Sequence, residues 1–185
     1  VSDNVKAIKY HLEALKFAEN NEVNYRLLDI YNAIGVIYFR EKNYSKAMEY
    51  YQKELNNVLL LKDSTYLAAV YDNMAIIDEN QFRFQEAIEK HKSAIKISEN
   101  LKDTNGIISA NNNLGLAYKK IENYKEALNK YNIAYSLIIK VRPIDSLWLS
   151  YTALNMGYAY TKIKEFNKAE NLLQEACTYL LRNND

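Results

Sequence analysis

A column of small residues constrains this chain more than any other feature. Gly35, Ala75, Gly115 and Gly157 fall 40, 40 and 42 residues apart, and three residues after each stands Tyr38, Asp78, Tyr118 or Tyr160. Twelve residues after each small residue comes an alanine, giving Ala47, Ala87, Ala127 and Ala169, with Ala7 one period upstream. Tyr44, Phe84, Tyr124 and Phe166 precede those alanines by three, while Ala14, Glu54, Ala94, Ala134 and Ala176 follow them by seven. Self-similarity at a fixed period of this length marks an array of stacked units, each of which buries its apolar face only against the next. Asp78 among the tyrosines and Glu54 among the alanines are the breaks in these columns.

Inside each period apolar residues recur at three and four, as in Tyr31, Ile34, Gly35 and Tyr38 or Ala47, Tyr51 and Leu55, so each period reads as two helices. One proline and four glycines leave little material for long loops. Turns between periods are expected at Lys62-Asp63-Ser64, Lys102-Asp103-Thr104 and Ile144-Asp145-Ser146, where side-chain oxygens are available to cap the next helix. The spacing predicts about nine helices, over 4–20, 26–40, 44–61, 65–80, 84–101, 105–120, 124–141, 146–162 and 166–182. A glycine or alanine in the first helix of a pair lets the second approach closely, and the aromatic columns fill the space between pairs.

Composition removes several functional classes. Lysine plus arginine (24) nearly cancels aspartate plus glutamate (23), so the net charge of +1 gives no bulk electrostatic case for nucleic acid or an anionic membrane. No apolar run approaches the ~20 residues of a membrane span, so neither nucleic acid binding nor membrane insertion is expected. The seventeen tyrosines fall largely in core columns rather than on a base-stacking surface. Three of the four glycines belong to the packing column, which leaves no glycine-rich phosphate loop. His11 and His91 share the column of Tyr51 and Tyr131 and read as packing residues rather than catalysts or metal ligands. Cys177 occupies the position of Leu15, Leu55, Ile95 and Tyr135 and is expected to be a buried core thiol; alone, it forms no intrachain disulfide. Trp148, at the start of the last repeat, reads as a lid on its hairpin end. No enzyme activity, cofactor or metal is expected.

Tyr31-x-x-Ile34-Gly35-x-x-Tyr38 followed by Tyr44-x-x-Ala47-x-x-x-Tyr51, and Leu114-Gly115-x-x-Tyr118 followed by Tyr124-x-x-Ala127-x-x-x-Tyr131-x-x-Ala134, resemble the tetratricopeptide signature. The resemblance covers essentially the whole chain and is to the long, 40-residue variety of kinesin light chains, bacterial peptide receptors and bacterial sensor proteins. HEAT repeats share the period but lack this pairing of columns. The implied fold is all-α, a right-handed α-α superhelix of four full hairpins after a half repeat. It forms one domain over 1–185, with repeats near 1–22, 25–62, 65–102, 105–142 and 146–183. Val1 falls inside the second helix of a hairpin, so a helix upstream, in a longer protein, is expected.

In such solenoids the first helix of each hairpin lines a concave groove, and residues offset by one from the core stripe point into it. Asn73, Asn113 and Asn155 then recur at one groove position, with Asn32 and Asn112 one residue away and Tyr151, Tyr158 and Asn80 beside them. An asparagine amide can pair with both the N–H and C=O of a ligand peptide unit, and the resemblance implies that these asparagines hold ligand backbone. The other reading open to them is hydrogen bonding between adjacent helices. Arg40, Lys119, Lys120 and Lys162 add a preference for carboxylates or simply answer the helix dipole. The expected partner is a protein or an extended peptide, including another region of the same polypeptide. The expected role is the sensory or regulatory segment of a larger bacterial signalling protein, cytoplasmic or on the periplasmic side of a membrane-bound sensor. A structural adaptor in secretion or envelope assembly is the competing class.

Overall fold

The computed structural model describes residues 2–19, 25–141 and 145–182. Among them the regular elements are all helices: α1 (Ser2–Glu19), α2 (Tyr25–Arg40), α3 (Tyr44–Leu61), α4 (Leu67–Asn80), α5 (Phe84–Leu101), α6 (Thr104–Lys120), α7 (Tyr124–Ile138), α8 (Ser146–Lys162) and α9 (Phe166–Arg182). The all-α expectation holds for these residues. Asn20, which closes the first expected helix, and Ile144 of the last turn lie outside them. The residues group into two compact units, 1–93 and 94–185.

The turns inside the hairpins are built alike. Lys42, Phe82, Glu122 and Lys164 adopt left-handed φ values of 58°, 62°, 60° and 63°. The N–H of the following residue, at Asn43, Arg83, Asn123 and Glu165, donates to the carbonyl of Tyr38, Asp78, Tyr118 and Tyr160 at 2.9 Å in each case. This is the six-to-one closure that satisfies the last carbonyls of a helix. Asn43 and Asn123 also accept from the backbone N–H of Lys46 (3.2 Å) and Glu126 (3.3 Å), capping α3 and α7. The turns between periods vary more. Asp145 caps α8 by accepting from Trp148 N at 2.9 Å, but Asp103 makes no side-chain cap bond to α6. Asp63 accepts from Thr65 N at 2.9 Å, and α4 starts only at Leu67. The side-chain bond to Thr65 competes with helix for the intervening residues.

The small-residue column does what its spacing predicts. A methyl group added to Gly35 would lie 2.7 Å from Tyr51 Cε1, and one added to Gly115 would lie 2.5 Å from Tyr131 Cε1. A glycine under a tyrosine ring therefore sets the separation of α2 from α3 and of α6 from α7. At Gly157 the facing residue is Leu173, 3.5 Å away, an ordinary contact. Ala75 stands where the ring column carries the smaller imidazole of His91. The alanines Ala47, Ala87 and Ala127 are fully buried. In the first unit Leu28, Tyr51, Val58, Val70 and Ile77 form the main core, with a smaller cluster of Leu15, Leu27, Tyr31 and Ile34. In the second, Leu128, Tyr131, Ile138, Leu149 and Met156 form a single core.

The second hairpin replaces aromatic packing with charge. In the first, Tyr38 stacks on Tyr50 at 5.7 Å; the matching positions hold Asp78 and Lys90, paired at 2.6 Å, and Arg83 Nε donates to the same carboxylate at 3.0 Å. Beside them His91, fully buried, faces Asp72 Oδ1 with Nδ1 (2.6 Å) and Glu79 Oε1 with Nε2 (3.0 Å). Only the imidazolium can donate to both. Burial alone would lower the His91 pKa, but the bonds to Asp72 and Glu79 outweigh it and the pKa is raised. The packing role expected of His91 is thus an ionic one. Cys177 departs from expectation: it is exposed, because among the described residues no further helix lies over that side of α9 to cover it.

Gly115→Ala should lower stability by about 1–3 kcal/mol through overpacking against Tyr131. Gly157→Ala should be neutral or raise it by up to about 1 kcal/mol, the ordinary helix gain, with both read from urea unfolding midpoints. His91→Ala, which takes the imidazolium away from Asp72 and Glu79, should cost about 3–5 kcal/mol. In the wild type the His91 contribution should be fully present below the ordinary pKa of 6.5 and decline as pH rises through the raised folded value.

Candidate functional site

In the first unit, α2, α3 and α4 enclose a cavity of about 280 Å³ lined by Asp29, Asn32, Ala33, Glu54, Tyr66 and Ala69. Asp29 and Ala69 are exposed at its mouth. Glu54 comes from α3 behind them, only 1% exposed. It stands in the column that is alanine in the other periods, so a carboxyl reaches where those repeats place a methyl. Asn32 Nδ2 donates weakly to its Oε1 at 3.5 Å, and Oε2 is buried without a hydrogen-bond partner. Burial pushes the Glu54 carboxyl up to about 8; the Asn32 bond opposes the rise and Asp29 adds to it. The acid is therefore mostly protonated near neutral pH.

The other expected site residues of this unit are less enclosed. Asn73 is half-buried on α4 and Arg40 is exposed in the last turn of α2. Asn80 is engaged within the hairpin pair, donating to Ile76 O at 2.7 Å and accepting from Tyr44 Oη at 3.4 Å.

In the second unit, Asn113, Leu147, Trp148 and Tyr151 line a cavity of about 270 Å³. Trp148 lies in the first turn of α8, edge-on to Tyr151 at 6.3 Å, so it walls this cavity instead of only closing a hairpin end. Two turns along, Tyr158 is half exposed, with Lys119 Nζ and Lys162 Nζ each 5.3 Å from its ring centre. These are cation–π distances. Lys119 also donates to Asn155 Oδ1 at 2.6 Å, while Asn155 Nδ2 donates to Tyr151 O at 3.0 Å. Burial, then the neighbouring Lys120, lowers the Lys119 pKa. Lys120 is exposed. Asn112 is fully buried and faces the Thr152 hydroxyl at 3.0 Å, which takes it out of a ligand's reach. Asn113 and Asn155 thus share a surface with Tyr151 and Tyr158, while Asn112 belongs to the packing between α6 and α8.

Glu54, Leu147 and the carboxylates around His91 were not singled out as functional from the sequence. For Glu54 a signal existed, its break in the alanine column. Leu147 carried one only in being apolar beside Trp148 at a helix start.

Among the described residues, no group of three or more histidine, cysteine, aspartate or glutamate side chains is placed to hold a metal ion. No helix of these residues is long and apolar enough to cross a membrane.

The geometry defines a class first: helical hairpins in series that present shallow polar and aromatic cavities, the build of an interaction scaffold. The tetratricopeptide repeat family model matches residues 26–100, 66–140 and 106–181, and the chain belongs to that family. No curated protein matches the sequence. Among solved structures, BtubC (BKLC) from P. vanneervenii superposes with a TM-score of 0.88 at 24% identity, covering 98% of this chain and 75% of that one. The apo form of RapI gives 0.85 at 16% identity over 100% of this chain. A Rap protein complexed with Competence and Sporulation Factor gives 0.82 at 16% identity over 100%. This chain spans about half the length of either Rap protein (51%). At these identities the likeness is one of fold, the tetratricopeptide solenoid.

The Glu54 geometry makes a prediction of sign. A carboxyl whose folded pKa is raised from 4.5 to about 8 is tolerated while neutral and destabilises the fold as it ionises. Its contribution is therefore fully present below the ordinary value of 4.5, declines as pH rises from there, and is lost once pH has passed about 8. Glu54→Gln should remove this loss, so that the variant exceeds the wild type by at least ~1 kcal/mol above pH 8 while the two converge near pH 5. Chemical unfolding across that range measures it.

Proposed function

We propose that this chain is a binding module for extended peptide segments, the sensory or regulatory part of a larger bacterial signalling protein. The observation that carries the reading is the cavity walled by Asn113, Leu147, Trp148 and Tyr151. It combines an amide with apolar and aromatic surface, and Tyr151, Leu154 and Tyr158 continue that exposed surface along α8. An extended chain needs both parts: amides to match its backbone and apolar contact between them. The Rap protein of the same fold, complexed with Competence and Sporulation Factor, supports ligand binding by such a repeat array. Lys119 and Lys162 at Tyr158 favour a ligand carboxylate nearby.

The test begins with peptides selected from a displayed library against the whole chain. Replacing Asn113 and Asn155 together with alanine removes hydrogen bonds of about 0.5–1.5 kcal/mol each. Affinity should then fall at least ~10-fold while the circular dichroism of the helices is unchanged. Full affinity in the double variant would remove the two asparagines from the site, and unfolding would assign them to structure. A tight oligomer by light scattering with no peptide selected would favour an assembly adaptor instead.

A further inference from the structure

We infer that the Glu54 cavity is a recognition pocket for a guanidinium group, the side chain of an arginine presented by the ligand. The case rests first on an isolated acid. Glu54 is almost wholly inside, its Oε2 has no hydrogen-bond partner, and it lines an open cavity rather than a sealed core. A buried, unsatisfied carboxyl oxygen is unfavourable, and alanine serves at this position in the other periods. Folding alone gives no reason to place an acid there. A donor entering from the mouth would supply the missing partner.

The chemistry of that donor follows from the walls. Asp29 stands at the rim and Glu54 at the floor, with the Asn32 amide between them on α2 and Tyr66, just before α4, on the remaining side. Tyr51, on the helix that carries Glu54, is the other titratable group whose charge couples to it. Among the groups that line the cavity none is cationic, so a positive charge would meet two acids and no competitor. A metal ion is a poor match, since no set of three acid, histidine or cysteine ligands converges here. A guanidinium is planar, weakly hydrated and carries five N–H donors in a fixed fork, which lets it span both carboxyls. About 280 Å³ admits such a side chain with its methylene stem.

The cation arrives by exchange with a proton. In the empty pocket Glu54 holds its proton, and a guanidinium beside it favours the carboxylate. At neutral pH binding therefore releases a proton to solvent: the Glu54 O–H bond breaks, and two N–H···O contacts to the anion replace it.

That the cation belongs to a peptide rests on the reading above, but the pocket can be tested without one. The probes are N-acetyl-arginine amide and its neutral isostere N-acetyl-citrulline amide, titrated into the whole chain. The readouts are backbone and side-chain amide shifts at Asn32, Ala33 and Ala69, and calorimetry in two buffers of different ionisation enthalpy. The arginine probe should bind with a Kd of about 1 mM or tighter and release about one proton per site at pH 7, while the citrulline probe produces neither effect. Glu54→Ala, which restores the residue of the other repeats and so should fold, and Glu54→Gln should each abolish binding. Equal shifts from both probes, no shift at Asn32 and Ala33, or retained binding in the Glu54 variants would overturn the proposal. If arginine binds but the library yields no peptide, the peptide reading fails alone; if peptides bind and arginine does not, the pocket assignment fails alone.

Discussion

Everything in this chain depends on how closely two helices of a hairpin can approach. Apolar burial drives them together, but the distance is set by one contact, a small residue on the first helix under a large side chain of the second. At Gly35 with Tyr51 and at Gly115 with Tyr131 the ring occupies the space that any β-carbon would need. A ring packed on bare backbone buries a large apolar surface at the centre of the hairpin. The alanine columns and the left-handed closures at Lys42, Phe82, Glu122 and Lys164 are consistent with that spacing. Each of these four closures carries a strain of order 1 kcal/mol, which indicates that they are held by the hairpins around them.

The second hairpin reaches the same fold by other chemistry. Asp78 and Lys90 take the places of a stacked tyrosine pair, and His91 takes the ring position. Buried ion pairs contribute less net stability than apolar packing of the same volume and lose several kcal/mol when one partner is removed. The stability of this hairpin accordingly responds to pH through His91. Glu54 is a different case, because among the described residues its Oε2 has no hydrogen-bond partner. The contrast separates the two departures from the repeat: one is compensated within the structure, while the other leaves a carboxyl facing a cavity.

Much of the fold was legible because it repeats. A single helix boundary is weakly encoded, but Tyr44, Phe84, Tyr124 and Phe166 in register identify the starts of α3, α5, α7 and α9 together. Where the repeat loosens, so does the reading: Asp63 bonds to Thr65 and α4 starts two residues late. Side-chain roles were harder to read because position in a column does not reveal what faces it. Asn112 and Asn113 are adjacent, yet one is buried against Thr152 and the other lines a cavity. Cys177 had the column of a core residue and is exposed, since burial also needs a covering helix. Glu54 and Asp78 looked alike as exceptions, and only the structure separates a paired acid from an unpaired one.

The central claim is that glycine at 115 is required by the ring at 131 and by nothing else. A double-mutant cycle tests it most directly, comparing Gly115→Ala in the wild-type background with the same change beside Tyr131→Leu, which imitates the pairing of Gly157 with Leu173. The account predicts that the alanine is destabilising under tyrosine but neutral or favourable under leucine, a coupling of about 1–3 kcal/mol. An equal loss in both backgrounds would contradict it, and would move the constraint from the ring to the helix backbone.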